Sequence, residues 1–263
     1  MKADLIAALI RSQGYAVVPD LVPRALAKDL RDRVLELQAE DERTYGKEYL
    51  YAIGQEGFVV NVGNRGEAFE HLLNSRPFDD LLEQLLGPDA HLYLYQGVIV
   101  PPGGGKGAYP WKWHCDLYHV SQAVADANFI PGINVLLYVD DVTSENGATW
   151  LVPGSQGLLA DDLEFGDAEF RARAELQVSA SAGSALIFNP LLWHCAGANN
   201  TDRHRCAVKM LMVRSWIMPQ MDYARSIDAE VLQRLDGGAR RLLGHERSMA
   251  RNFDHLVANG PGF

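Results

Sequence analysis

His91-Leu92-Tyr93-Leu94-Tyr95-Gln96-Gly97-Val98-Ile99-Val100 is a long apolar run that stops on Pro101-Pro102-Gly103-Gly104-Gly105. Aromatic and β-branched residues closed off by turn formers read as a buried strand. The signature recurs downstream in Ile133–Val139, Ala148–Val152, Ser184–Phe188, Leu191–His194 and Cys206–Trp216. Asp140-Asp141 and Pro153-Gly154-Ser155 punctuate the series. Upstream the pattern is helical. Asp4–Arg11 is a short helix ended by Gly14, Tyr15–Val18 a strand, and Pro23–Glu40 an amphipathic helix with Leu26, Leu30, Val34 and Leu37 on one face. Residues 41–66 read as a loop or short strands. Glu67–Asn74 and Phe78–Leu86 read as two short helices, residues 158–176 as an acidic excursion, and residues 226–243 as one late helix carrying Ile227, Val231, Leu235 and Leu242.

The expected fold is mainly β with flanking helices, a double-sheet jelly roll of the cupin kind. One domain is expected over residues 1–263: a helical portion over 1–90, a jelly-roll core over 91–216, and a helix and tail over 217–263. No βα repeat, GxGxxG or GxxxxGK[ST] is present. The formal charge of -10 argues against an electrostatic grip on nucleic acid or an anionic membrane. No run approaches the ~20 apolar residues of a membrane span. Three cysteines without a CxxC predict a reduced, cytoplasmic protein, and MKADLIAALIRSQG lacks a signal peptide's apolar core. The late helix offers a face that would suit either a homodimer contact or packing within a monomer.

Inside the β region, Trp113-His114-Cys115-Asp116 carries the chemistry. On a strand, His114 and Asp116 would share a face, and Trp113 and Cys115 the other. His194 follows Asp116 by 78 residues and Arg205 follows His194 by 11. Two histidines and a carboxylate are the ligand set of a non-heme iron(II) centre, and an arginine suits a carboxylate co-substrate. Cys115, Cys195 and Cys206 each neighbour one of these residues, so a zinc site is the rival. On strands, however, those thiols would point away from the adjacent histidines.

Four passages, in order, resemble the phytanoyl-CoA dioxygenase family of Fe(II)/2-oxoglutarate-dependent oxygenases: GYAVVPDLVP (14–23), YPWKWHCD (109–116), ENGATWLVPGS (145–155) and HCAGANNTDRHR (194–205). The resemblance runs from about Gly14 to Trp216 and implies a double-stranded β-helix. It also implies a dioxygenase that hydroxylates an unactivated C–H bond while 2-oxoglutarate and O2 become succinate and CO2. By the same resemblance His114, Asp116 and His194 hold Fe(II), Arg205 holds 2-oxoglutarate, Gln96 lies near the cofactor or the substrate, Thr149 hydrogen-bonds a co-substrate carboxylate, and Asn199 is a cofactor-side residue that supports the distal ligand. Related halogenases carry a small residue in place of the carboxylate, so Asp116 implies hydroxylation. Val100 stands where many relatives have a basic residue, and Gln156 where many have histidine.

Tyr109, Trp111, Lys112, Tyr118 and His119 bracket the HxD pair as candidate substrate contacts. Tyr49, Tyr51, Asn61 and Asn64 are candidates for the cavity entrance, and Arg214 for an anionic substrate group. The expected substrate is a small polar metabolite. The alternatives are an acyl-CoA or natural-product intermediate, or a non-catalytic cupin-like binding domain.

Overall fold

A computed structural model describes residues 2–104, 113–121, 128–158 and 176–245. In chain order its elements begin with α1 (Ala3–Gln13), β1 (Tyr15–Val18), α2 (Arg24–Tyr45), α3 (Lys47–Ala52) and β2 (Phe58–Val60). Then follow α4 (Glu67–Ser75), α5 (Asp79–Leu86), β3 (His91–Val100), α6 (Tyr118–Ser121), β4 (Gly132–Tyr138) and β5 (Thr149–Leu151). The chain continues through β6 (Leu176–Val178), β7 (Ala185–Phe188), β8 (His194–Cys195) and β9 (Arg205–Val213). The last described elements are α7 (Tyr223–Ser226), α8 (Ala229–Arg234) and α9 (Gly237–Leu242).

The strands form a six-stranded sheet, β1-β7-β4-β9-β3-β2, and a three-stranded sheet, β6-β5-β8. Every named pairing is antiparallel, as in a jelly roll. Period-2 alternation sorts the large sheet into two faces. On β4 and β9, Ile133, Val135, Leu137, Cys206, Val208, Met210 and Met212 face the helices, in one core with Leu30 and Val34 of α2 and Phe69 of α4. Leu136, Tyr138, Ala207 and Val98 face the small sheet, packing with Ala148, Leu151 and Val178. Asn134, Lys209 and Arg205 share that inward parity. A register shift between Leu92 and Leu94 re-phases β3, so that Leu92 and Tyr95 both join the helical core.

The predicted strands β3, β4, β7 and β9 are present within a residue or so of the expected bounds, except that β9 ends at Val213 rather than Trp216. Four expectations are corrected. First, α2 runs on to Tyr45, where Gly46 at φ 85° ends it, and α3 follows within the stretch read as a loop or short strands, which also holds the short strand β2. Second, residues 226–243 hold the end of α7 and two short helices, α8 and α9, because Leu235 is extended and Asp236 starts α9 by accepting from the Ala239 N–H. Third, His114 and Asp116 do not lie on a continuous strand. His114 makes an isolated bridge with His194, and Asp116 sits in a turn leading into α6. Fourth, Leu191–Trp193 is a turn, and only His194–Cys195 pairs. The acidic stretch 159–175 lies outside the described residues.

Candidate metal centre

Backbone hydrogen bonds bring the HxD segment to the distal histidine. His114 N–H donates to His194 O and His194 N–H to His114 O, both at 3.0 Å, and Asp116 N–H donates to Pro190 O at 2.8 Å. These contacts aim three side chains at one point. His114, Asp116 and His194 offer ligand atoms that all lie within 4.8 Å of one another. Nε2 of His114 is 3.8 Å from Asp116 Oδ1, and Nε2 of His194 is 3.6 Å from Asp116 Oδ2.

The surroundings fix His194 and Asp116 in the state a metal needs. His194 Nδ1 lies 2.9 Å from Leu192 O. A carbonyl can only accept, so Nδ1 carries the proton and Nε2 keeps its lone pair. Burial, with the neighbouring His114, lowers the His194 pKa to about 3. Burial alone would raise the Asp116 carboxyl, but Lys209, His194 and His114 outweigh it and hold it well below the ordinary carboxylate range. Lys209 Nζ donates to Asp116 Oδ1 and Asn134 Nδ2 to Asp116 Oδ2, each at 2.6 Å. An anionic carboxylate between two imidazoles fits a divalent ion of intermediate hardness such as Fe(II).

The triad opens into a cavity of about 760 Å³ between the sheets, whose wall also includes Gln96, Thr149, Arg205 and Lys209. Arg205 is 2% exposed. Its Nη2 donates to Gly147 O at 2.6 Å, and its Nε has no acceptor among the described residues. The ENG passage explains that contact. Asn146 holds the turn by accepting from Thr143 N–H and donating to Asp141 O. Gly147 at φ 93° turns its carbonyl to Arg205, and a Cβ there would stand 3.0 Å from Gly197 O. In the PGS passage the Ser155 hydroxyl accepts from Trp193 N–H at 2.9 Å and steadies the approach to His194. Tyr138 donates its hydroxyl proton to Thr149 Oγ1 at 3.1 Å.

Other sequence candidates lie elsewhere. Asn199 is buried outside the cavity wall, where Nδ2 donates to Val100 O and Arg203 O and Oδ1 accepts from Thr201. Arg214 caps the end of α5 by donating to Leu85 O, and also donates to Ile130 O. Asn61, in a left-handed turn at φ 52°, is not among the cavity-lining residues. His119 is exposed on α6. The Asn64 amide joins the helical segments by donating to Ser226 O. Tyr49 and Tyr51 are exposed on α3. Tyr109, Trp111 and Lys112 lie outside the described residues, as does the side chain of Tyr118. The three cysteines are buried, and none belongs to the metal-ligand group. Sequence reasoning missed Lys209 and Asn134, although each is a polar residue in an otherwise apolar stretch of strand with the parity of the inward face.

A sequence model of the phytanoyl-CoA dioxygenase family (PhyH) matches residues 10–207. An uncharacterized protein of Mycobacterium tuberculosis is 28% identical over 254 residues, spanning 95% of this chain and 90% of that one. The L-proline trans-4-hydroxylase of Streptomyces griseoviridis is 28% identical over 156 residues, 49% of this chain and 56% of that one. Among solved structures, a nickel complex of the non-heme monooxygenase ThoJ superposes with a TM-score of 0.60 at 19% identity, covering 82% of this chain and 80% of that one. The non-heme α-ketoglutarate-dependent epimerase SnoN from nogalamycin biosynthesis does so with a TM-score of 0.58 at 20% identity, covering 81% and 80%. Among the described residues, no helix is long and apolar enough to cross a membrane. With the His–Asp–His cluster in place and the family's sequence pattern matched across most of its length, this chain belongs to the phytanoyl-CoA dioxygenase family and is an oxygenase that uses Fe(II), 2-oxoglutarate and O2.

Proposed function

We propose that the protein hydroxylates a C–H bond of a small polar metabolite. In this reading His114, Asp116 and His194 hold the ferrous ion, and Arg205 with Thr149 holds the distal carboxylate of 2-oxoglutarate. One observation carries the reading: the triad shares its cavity with a buried guanidinium that has no carboxylate partner among the described residues. A guanidinium keeps its proton at any ordinary pH, so a buried one calls for an anion.

Bound together, the metal and the 2-oxo acid supply the oxidative decarboxylation that releases succinate and CO2 and delivers one oxygen atom to the substrate. The chain's own residues position and insulate. Gly147 O fixes the Arg205 fork, leaving the rest of the guanidinium for a carboxylate. Thr149 accepts from Tyr138, so its own proton is available to the same carboxylate. Lys209 and Asn134 hold Asp116 as an oriented anion. Phe188, Leu136 and Val98 line the cavity and exclude water from it.

The substrate class rests on cavity volume and charge. About 760 Å³ must hold both co-substrate and substrate, and a chain of formal charge -10 disfavours a polyanionic nucleotide tail. The helical ends are read as parts of one oxygenase domain, supported by the Arg234–Glu70 pair at 2.6 Å between α8 and α4.

Anaerobic titration of the iron(II)-loaded protein with 2-oxoglutarate tests the site. A weak visible metal-to-ligand charge-transfer band is expected in the wild type. Arg205→Ala should bind 2-oxoglutarate far more weakly, and Asp116→Ala should lose tight iron binding. A folded, iron-replete wild type without the band would overturn the assignment. In turnover screening, activity confined to acyl-CoA thioesters would overturn the substrate class.

A further inference from the structure

Arg205 is not the only buried cation in the cavity. Lys209 stands four residues further along β9, on the same inward face, and is 8% exposed. A lysine ammonium has three donors. One goes to Asp116 Oδ1, and the other two meet no acceptor among the described residues. Gln96 is Lys209's partner in the β3–β9 register, is equally buried, and lines the same cavity. Its side-chain amide makes no hydrogen bond among the described residues. An ammonium and an amide therefore sit side by side on rigid backbone, beside the metal carboxylate, with donors unused.

The charge balance says what they suit. Among the described cavity-lining residues, Arg205 and Lys209 are positive and Asp116 is negative. A ferrous ion and a 2-oxoglutarate dianion cancel each other, which leaves that wall with one excess positive charge. Once Asp116 serves a metal, its charge is shared between the ion and Lys209. An uncompensated buried ammonium is costly, and a carboxylate that accepts from it relieves the cost. Arg214, the other cation considered from the sequence, is committed to backbone carbonyls and cannot supply this contact.

We infer that Lys209 and Gln96 anchor a carboxylate of the substrate. The substrate class is then a small carboxylic acid, held so that the bond attacked lies close to its carboxylate. The inference rests on the proposed hydroxylase reading and narrows its substrate.

The test uses anaerobic protein loaded with Fe(II) and excess 2-oxoglutarate, so that added acids do not report on Arg205. Butyrate and valerate, each beside its primary amide, are titrated while the charge-transfer band and calorimetric heat are followed. In the wild type each acid should bind about tenfold or more tightly than its amide, the worth of a charge-assisted bond. Lys209→Met should abolish that preference and Lys209→Arg should keep much of it. Gln96→Leu does not touch the triad and should weaken the acids about threefold to tenfold with the band intact. Equal affinity for acid and amide in the wild type would overturn the inference, as would a preference that survives Lys209→Met. If Lys209 only orients Asp116, its loss disturbs iron binding and the wild type shows no preference for acids. A wild type without the band would sink the hydroxylase reading, while the calorimetric ratio of acid to amide would still decide the anion site.

Discussion

At the scale of single residues, the site depends on a few contacts that admit little substitution. Gly147→Ala places a Cβ 3.0 Å from Gly197 O on backbone at φ 93°. We expect a loss of about 1 kcal/mol or more in stability and a weaker grip on 2-oxoglutarate, because the carbonyl that fixes Arg205 must move. Denaturant unfolding and the anaerobic titration, run on the same variant, check both. Unchanged co-substrate affinity would separate Gly147 from Arg205. The triad was legible in the sequence because iron chemistry demands a rare residue combination, and the HxD and distal histidine stand in recognisable company. Lys209 and Asn134 were legible only in principle. Their parity places them on the inner face, but parity alone does not tell which inward polar residue reaches a ligand. Arg214 shows the converse. It carries the charge that an anionic substrate would call for, yet its position continues the helix-facing phase of Cys206, Val208, Met210 and Met212, where three helix-end and loop carbonyls satisfy it.

At the scale of elements, β3 is the most constrained. A Cβ at Gly97 would lie 2.9 Å and 3.0 Å from the two methyls of Val34 on α2. Gly97→Ala should therefore cost about 1–3 kcal/mol by overpacking, seen as a lower denaturation midpoint with an unchanged slope. Past the short β2, which ends opposite Gln96, the Tyr95 N–H has no neighbouring strand and donates instead to the Tyr223 hydroxyl at 2.6 Å. Tyr223→Phe leaves that buried donor unsatisfied. A loss of about 1–3 kcal/mol is expected, and a neutral result in thermal and denaturant unfolding would show that water takes the bond. The core strands were readable because strands buried on both faces appear as plain apolar runs. The late helices were not, since Ile227, Val231, Leu235 and Leu242 keep roughly helical spacing across two breaks. Those breaks are set by extended backbone at Ile227 and by extended Leu235 with the cap at Asp236, which hydrophobic periodicity does not register.

At the scale of the whole molecule, ligation and folding are linked. The three proposed metal ligands come from the His114 bridge, the turn at Asp116 and β8, segments otherwise joined by a single bridge and a few backbone bonds. Anything that binds only the folded state stabilises it by mass action, about 2.7 kcal/mol at a hundredfold excess over the dissociation constant. Fe(II) with 2-oxoglutarate should accordingly raise the unfolding temperature under anaerobic conditions, chelation should reverse the rise, and Asp116→Ala should show none. A rise that persists in Asp116→Ala would place the ion elsewhere.

The three buried thiols offer something besides packing. Cys115 lies between two triad residues, Cys195 follows the third, and Cys206 follows Arg205. Cys206 is pushed up to about 12 by burial beside Asp140, so its thiol is doubly protected from alkylation. Each cysteine is thus a native reporter wired to one arm of the site. The rate at which a small alkylating reagent modifies each one measures how often that arm opens, without any engineered label. Slowing at Cys115 and Cys195 on adding metal, and at Cys206 on adding 2-oxoglutarate, would resolve in time what equilibrium binding reports only as a sum.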